Sequence, residues 1–413
     1  MPCISASRPL LLSLAAMAAA GEIEEAISPM LRRLSLKYDC AISLAVRGPQ
    51  HSDINVALAA GQSDRISGRK ARATDRFVWG SVTKLVTGAS VLRLVDQGAL
   101  SLQDRVAPLD DAVRCPPIHH PSTRALTVDP FLARSAATTP SQNFSSIVQL
   151  WGEGVGEVRV KDLLSMHSGI PDFDTATPGK NPTDPFRASC YAHPRHAYSP
   201  AQLISLPWVR RPLLFPAGTC DVRKYYNCYS STNYVLLGML LAQHFGEQKP
   251  GRETGRQGRT GDGLVGWWES RKLTEEGCES PTDMNAHYSL VAAGVFGGWT
   301  ASDLVADASD VAQLGQDVYG PDYKLISKPL VDMMYAESAE TGYGLATFNL
   351  SRLTPNDIAY GHLGATYGYQ SLLVYVPTLQ LSFAIGTNIE RDFQDQPSDV
   401  SGLSRVSCSM VGS

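Results

Sequence analysis

Segments with the composition of β-strands sit at the two ends of this chain, and segments with helical periodicity fill its middle. Near the start, 41–47 and 54–60 are rich in Val, Ile and Ala and are separated by Gly48-Pro49. In the last hundred residues, 343–350, 361–366, 369–376 and 380–388 read as four short strands. Gly368 and Pro377-Thr378 supply tight turns between the last three. This distribution predicts one sheet built from both ends of the chain, with a helical region inserted between them.

The chain has 413 residues, 43% of them hydrophobic and 18% charged, enough for one large two-lobed domain or two to three smaller ones. A net charge of −4 gives no electrostatic reason to expect nucleic acid as a partner. Its eight cysteines include no Cys-x-x-Cys pair, and His119-His120 has no ligand partner nearby, so no structural zinc site is expected. At the N-terminus, Arg8, the apolar run 9–20 and Ala18-Ala19-Ala20 read as a signal peptide, too short to span a bilayer. A buried N-terminal helix is the plainer alternative. The signal reading implies a secreted or lumenal protein with no stable membrane anchor. In such a space Cys220 and Cys228, which flank a short polar loop, could pair, although the sequence leaves the disulfide pairing open. The sequons at Asn143 and Asn349 would be open to glycosylation there.

Between the strands, 22–37 predicts a helix with Ile23, Ile27, Met30, Leu31 and Leu34 on one side. A second helix runs from Ser81 to near Gly98. Cys115-Pro116-Pro117 and the Ser/Thr/Ala-rich stretch 134–146 suggest a long surface excursion within 105–155. A helix over 160–166 leads into Ser168-Gly169-Ile170-Pro171-Asp172, where proline and aspartate mark a turn. An apolar helix over 235–245 is followed by 246–262, which is nearly free of apolar residues and reads as an exposed loop. Residues 297–303 are expected to form a turn that caps a further helix.

Three segments carry chemistry. Ser81-Val82-Thr83-Lys84 follows the apolar run Phe77-Val78-Trp79-Gly80 and opens a helix, so hydroxyl and amine lie one turn apart on one face. A desolvated neutral lysine there can take the hydroxyl proton and create a nucleophile. Ser67-Gly68-Arg69-Lys70 has the same spacing, but no apolar helix follows it, and it reads as chance. The second segment is Tyr229-Ser230-Ser231, just ahead of the apolar helix, where a phenol beside a cationic lysine can shuttle a proton. Taken alone, such a tyrosine is more often a packing residue. The third is His362-Leu363-Gly364-Ala365-Thr366-Tyr367-Gly368-Tyr369, in which alternation points His362, Gly364 and Thr366 to one face. A glycine there lets a substrate lie against the strand edge, whose amide can donate to an oxyanion; a plain polar edge strand is the rival reading.

In this order, the three segments resemble the serine β-lactamase and penicillin-binding-protein superfamily, with its Ser-x-x-Lys, Tyr-x-Asn or Tyr-x-Ser, and Lys/His-x-Gly motifs. The likeness is greatest to the branch of class C β-lactamases, D-alanyl-D-alanine carboxypeptidases, D-aminopeptidases and esterases. Leu163-Leu164-Ser165-Met166-His167-Ser168-Gly169-Ile170 looks like that branch's Leu-Leu-x-His-x-Ser-Gly signature. The resemblance runs from about residue 25 to 392, with the stretches near 105–155 and 246–280 looking like insertions.

The resemblance implies an α+β, β-lactamase/transpeptidase-like fold: a central antiparallel sheet from both chain ends, flanking helices and an inserted, mostly helical subdomain. The sheet lobe would take about 21–80 and 285–392, the helical lobe about 81–284, and 393–413 would be a polar tail. Ser81 would be the acylated nucleophile, Lys84 its base and Tyr229 the proton relay. Ser231 and His362 would contact substrate, His362 by helping to hold a carboxylate or shape the pocket. The amides of Ser81 and Ala365, beside Gly364, would form the oxyanion hole. Tyr225-Tyr226-Asn227 also satisfies Tyr-x-Asn, but the distance from Tyr229 to Leu236-Leu237-Gly238 fits the family better. Ser231 stands where many relatives have asparagine, and His362 where many have lysine.

The reading is therefore a serine hydrolase working through an acyl-enzyme on a small amide or ester: a D-peptide, a β-lactam or a small ester. It needs no cofactor and no metal, and its partner is a small-molecule or peptide substrate; oligomeric state is left open. Histidine at 362 favours a peptidase or esterase over a dedicated β-lactamase. The rival is a catalytically inactive binding or self-assembling protein with the same fold, against which the intact Ser81, Lys84 and Tyr229 set argues. A Ser-His-Asp hydrolase is disfavoured by the lack of a Gly-x-Ser-x-Gly elbow.

Overall fold

The computed structural model describes residues 20–64, 68–107, 126–174, 184–193, 196, 198–220, 228–247, 295–354, 358–366 and 368–389. Ten helices occur among them: α1 (Ala20–Tyr38), α2 (Thr83–Asp96), α3 (Asp129–Thr138), α4 (Val148–Trp151), α5 (Val160–Leu164), α6 (Pro185–Ala192), α7 (Pro200–Ile204), α8 (Thr232–Glu247), α9 (Ala308–Tyr319) and α10 (Lys328–Thr341). The strands are β1 (Ile42–Arg47), β2 (Asn55–Ala60), β3 (Gln62–Asp64), β4 (Arg69–Lys70), β5 (Phe77–Val78), β6 (Val305–Ala306), β7 (Phe348–Asn349), β8 (Tyr360–Thr366), β9 (Tyr369–Val376) and β10 (Leu381–Thr387).

Six strands form one sheet in the order β2-β1-β10-β9-β8-β7. Every neighbouring pair is antiparallel, and β1 from the start of the chain pairs with β10 from its end, Ile42 opposite Thr387. The sheet of both chain ends is thus present. Its two faces follow from the period of two along each strand. Ile42, Leu44, Val46, Leu372, Val374 and Val376 face a core shared with α1, whereas Ala45, Leu373 and Tyr375 face the larger core of the helical region. Ile23, Ile27, Met30, Leu31 and Leu34 recur every three or four residues along α1 and are all buried against the first core. Each such side chain contributes about 1.5–3 kcal/mol when fully buried. On the opposite face, α9 packs Val311, Leu314 and Val318 toward the sheet, and α2 and α8 lie in the interior beyond.

Several boundaries differ from the sequence reading. The expected strand 343–350 is reduced to Phe348–Asn349, because the chain turns at Gly344 and Ala346: Gly344 N–H donates to Thr347 O at 2.8 Å and Ala346 has φ +57°. Residues 297–303 do not cap the next helix directly. Of these, 297–301 belong to a 3₁₀ turn, Val295–Ala301, and 302–304 lead into β6; it is Asp307 that caps α9 by accepting from Asp310 N–H. Cys115-Pro116-Pro117 lies outside the described residues, and 134–146 is exposed or half-buried apart from Phe144, whereas Leu132, Ile147, Leu150, Trp151 and Val155 on either side of it are core residues. The signal segment, Ser67, Tyr225-Tyr226-Asn227, the loop 248–262 and the tail 393–413 lie outside the described residues.

Candidate active site

Trp79 anchors the turn that carries Ser81. β5 pairs with β6, Trp79 N–H donates to Leu304 O, and the buried indole Nε1 donates to Ala306 O at 2.9 Å. The chain then turns through Gly80, φ +49°, into the 3₁₀ turn Gly80–Val82 and α2. From Thr83 to Leu92 every side chain of α2 is buried, so the helix carries Lys84 into the interior with it. Lys84 Nζ donates to Ser81 Oγ at 2.9 Å and to Ala301 O at 3.1 Å. Thr87 Oγ1 donates to Thr300 O, and Leu304 N–H donates to Thr83 Oγ1, which holds the 300–304 segment against α2.

Tyr229 completes the group from a distant part of the chain. Its phenol lies close enough to the Ser81 side chain to interact with it, and Lys84 Nζ lies 5.1 Å from its ring centroid. The ring is stacked on Phe348 and meets Tyr343 edge-on. Cys228, the preceding residue, is disulfide-bonded to Cys220, a pairing the sequence had left open. Hydroxyl, amine and phenol therefore converge.

β8 presses on the Ser81 turn from the sheet side. A Cβ on Gly80 would run into the backbone of Ala365, and one on Gly364 into Trp79 O and Ser371 Oγ. Ser371 Oγ in turn donates to Trp79 O at 2.8 Å. Opposite Gln370, one step from the Thr366–Tyr369 pair that closes the β8–β9 hairpin, Ala365 occupies a register position whose N–H points away from β9. That edge is the one facing Gly80 and Ser81.

Electrostatics separates the roles open to these groups. Burial lowers the Lys84 pKa to about 8, against the pull of Asp174 and Asp172, which raise it. Burial drives the Tyr229 phenol well above its ordinary value, with the Ser81 side chain opposing. Near neutral pH the phenol is thus protonated, and Lys84 is the group able to become a neutral base. Asp174 is raised to about 8, by burial first and by Asp172 next.

Two expected substrate contacts are placed differently. His362 is fully buried, with Nε2 accepting from Tyr343 Oη at 3.0 Å and Nδ1–H donating to Leu363 O at 2.6 Å. Burial, and next the charge of Lys84, lower its pKa to about 3. It is a neutral interior residue that braces Tyr343 and Phe348, the two rings under Tyr229, and offers no charge to a substrate carboxylate. Alternation put His362 on the correct face, but that face is filled by the 343–348 turn. Ser231 Oγ is buried and, among the described residues, has no hydrogen-bond partner, so no Ser231–Lys84 bond forms. Sequence reasoning passed over Asp172 and Asp174. They flank fully buried Phe173, and this i, i+2 spacing in an extended turn was the available signal.

Comparison with known proteins follows the same lines. A search of curated protein sequences finds no match. Among solved structures the chain is similar to the D-amino acid amidase from Ochrobactrum anthropi SV3 complexed with L-phenylalanine amide, at 14% identity and TM-score 0.61, covering 94% of this chain and 97% of that one. The D-stereospecific amidohydrolase from Streptomyces sp. gives 17% identity and TM-score 0.56, covering 87% and 93%. The octameric penicillin-binding protein homologue from Pyrococcus abyssi gives 17% identity and TM-score 0.53, covering 90% and 73%. At these identities the likeness is one of fold. The Beta-lactamase family matches residues 41–401, nearly the whole chain, and the chain belongs to that family.

Proposed function

We propose that this protein is a serine hydrolase that acts through an acyl-enzyme on a small amide or ester lacking a free carboxylate next to the scissile bond. The observation that carries the reading is the meeting of Ser81 Oγ, Lys84 Nζ and the Tyr229 phenol, with the base buried and its pKa lowered. Ser81 Oγ attacks the carbonyl carbon while its proton passes to neutral Lys84. The oxyanion forms between the N–H groups of Ser81 and Ala365, where losing one donor typically costs about 10²–10³ in rate. Tyr229 then hands its proton to the leaving group and is reprotonated by the Lys84 ammonium. Water attacks the acyl-enzyme by the reverse path.

Charge supports the substrate class. Around Ser81 lie the Lys84 amine, its pKa lowered to about 8, the Asp174 carboxyl, raised to about 8, and Asp172, while His362 is neutral. A substrate carboxylate gains nothing from this set, whereas an amide bearing an amine is compatible with it. The names of two structural neighbours, an amidase of D-amino acids and a D-stereospecific amidohydrolase, point the same way.

The test is turnover of D-phenylalanine amide against benzylpenicillin, with intact-mass detection of the acylated protein. Wild type should release ammonia from the amide faster than it opens the β-lactam, and Ser81→Ala should do neither. Preferred hydrolysis of penicillin would overturn the substrate class, and undiminished turnover by Ser81→Ala would overturn the nucleophile.

A further inference from the structure

The segment after α5 and the segment that carries Tyr229 are far apart in sequence, yet they are joined by a dense set of hydrogen bonds. Ser168 Oγ donates to Asn233 Oδ1 at 2.6 Å, Thr232 Oγ1 donates to Pro171 O at 2.8 Å, and Phe173 N–H donates to Thr232 Oγ1 at 3.2 Å. Ser230 N–H and Asn233 Nδ2 both reach Met166 Sδ. One acceptor takes two backbone donors: Asp172 Oδ1 accepts from Ser231 N–H at 2.8 Å and from Asp174 N–H at 3.2 Å.

Ser231 is two residues past Tyr229 and immediately precedes α8, a helix of 16 residues. A carboxylate below a helix N-terminus meets unpaired N–H groups and the positive end of the helix dipole. The other links grip the side chains of Thr232 and Asn233, or Ser230 N–H through sulfur, whereas Asp172 holds the Ser231 backbone through oxygen.

We infer that Asp172 is the positioning residue of the Tyr229 proton relay: its carboxylate fixes the Tyr229–Ser231 turn so that the phenol stays on Ser81. This rests on the serine-hydrolase reading and adds a residue to it. The role is one of geometry, acting through Tyr229. Displacing a reacting group by about 1 Å can cost about 10²-fold in rate. The loss should appear where the leaving group needs a proton and be small where it does not.

That distinction supplies the test. Ethyl butyrate and p-nitrophenyl butyrate give the same acyl group, but ethoxide must be protonated to leave and p-nitrophenoxide need not be. For Asp172→Ala we expect the acylation rate on the ethyl ester to fall about 10²-fold, the acylation burst on the p-nitrophenyl ester to lose less than about threefold, and substrate affinity to stay near wild type. Asp172→Asn keeps an acceptor oxygen in place and should recover most of the ethyl-ester rate. Asp172→Glu keeps the charge but moves the oxygens and should not. If Asp172→Ala does not fold, the order of the Asn and Glu variants decides. An unchanged ratio of the two esters, or Glu equal to or better than Asn, overturns the inference. A wild type that neither hydrolyses these esters nor takes a fluorophosphonate on Ser81 defeats the serine-hydrolase reading itself, a separate outcome.

Discussion

The backbone of Gly80, in the left-handed region at φ +49°, lies directly against the backbone of Ala365. This contact sets the separation of the two amides assigned to the oxyanion hole. Gly80→Ala therefore faces both an unfavourable conformation, costing about 1–2 kcal/mol, and a backbone collision. The variant should show a lowered melting temperature and an ester-hydrolysis rate reduced by at least about 10²-fold. Stopped-flow acylation together with thermal melts checks both.

The pH dependence follows from Lys84. Its amine must be neutral to accept the Ser81 proton, so kcat/KM should rise with pH on a limb centred near its lowered pKa of about 8. Asp174 and Asp172 raise that pKa, so removing a negative charge must lower it. Asp174 ionises only near its own raised pKa of about 8, so Asp174→Asn is expected to move the upper part of the limb toward lower pH and to leave the rate well below pH 8 unchanged. A limb that stays put or moves upward in a pH–rate series would contradict the arrangement.

His362 is expected to matter for stability more than for substrate charge. His362→Ala removes the acceptor for Tyr343 and leaves a void under Phe348, at a cost of about 2–3 kcal/mol. Denaturant melts should show this loss. The relative rates on neutral and carboxylate-bearing esters should be unchanged, since the ring touches neither.

The Cys220–Cys228 disulfide holds the chain immediately before Tyr229. A closed loop of this length stabilises by about 2.5 kcal/mol in the chain-entropy picture. Cys220→Ser with Cys228→Ser should lower the melting temperature by a corresponding amount and reduce turnover, measured beside the oxidised wild type.

Much of this architecture is legible in the sequence because it rests on local periodicity. β9 has the bounds that alternation predicts, α1 and α8 extend the expected helices by a few residues, and the Ser81 helix begins where its apolar run does. The site's three central residues were legible too, through spacing and order along the chain. What escaped depends on packing between distant segments. Nothing local to 343–350 shows that Ala346 takes a positive φ and ends the strand. Asp172 looks like any turn aspartate until Ser231 N–H is found on it. His362 was assigned to the correct face, but only the 343–348 turn packed over it makes that face interior.

Peptide-resolved mass spectrometry after fluorophosphonate treatment tests the central arrangement most directly. The account predicts a single adduct on Ser81 in the wild type and none, over the same interval, in a folded Lys84→Ala variant. An adduct on another residue, or Ser81 modified at the same rate without Lys84, would contradict it.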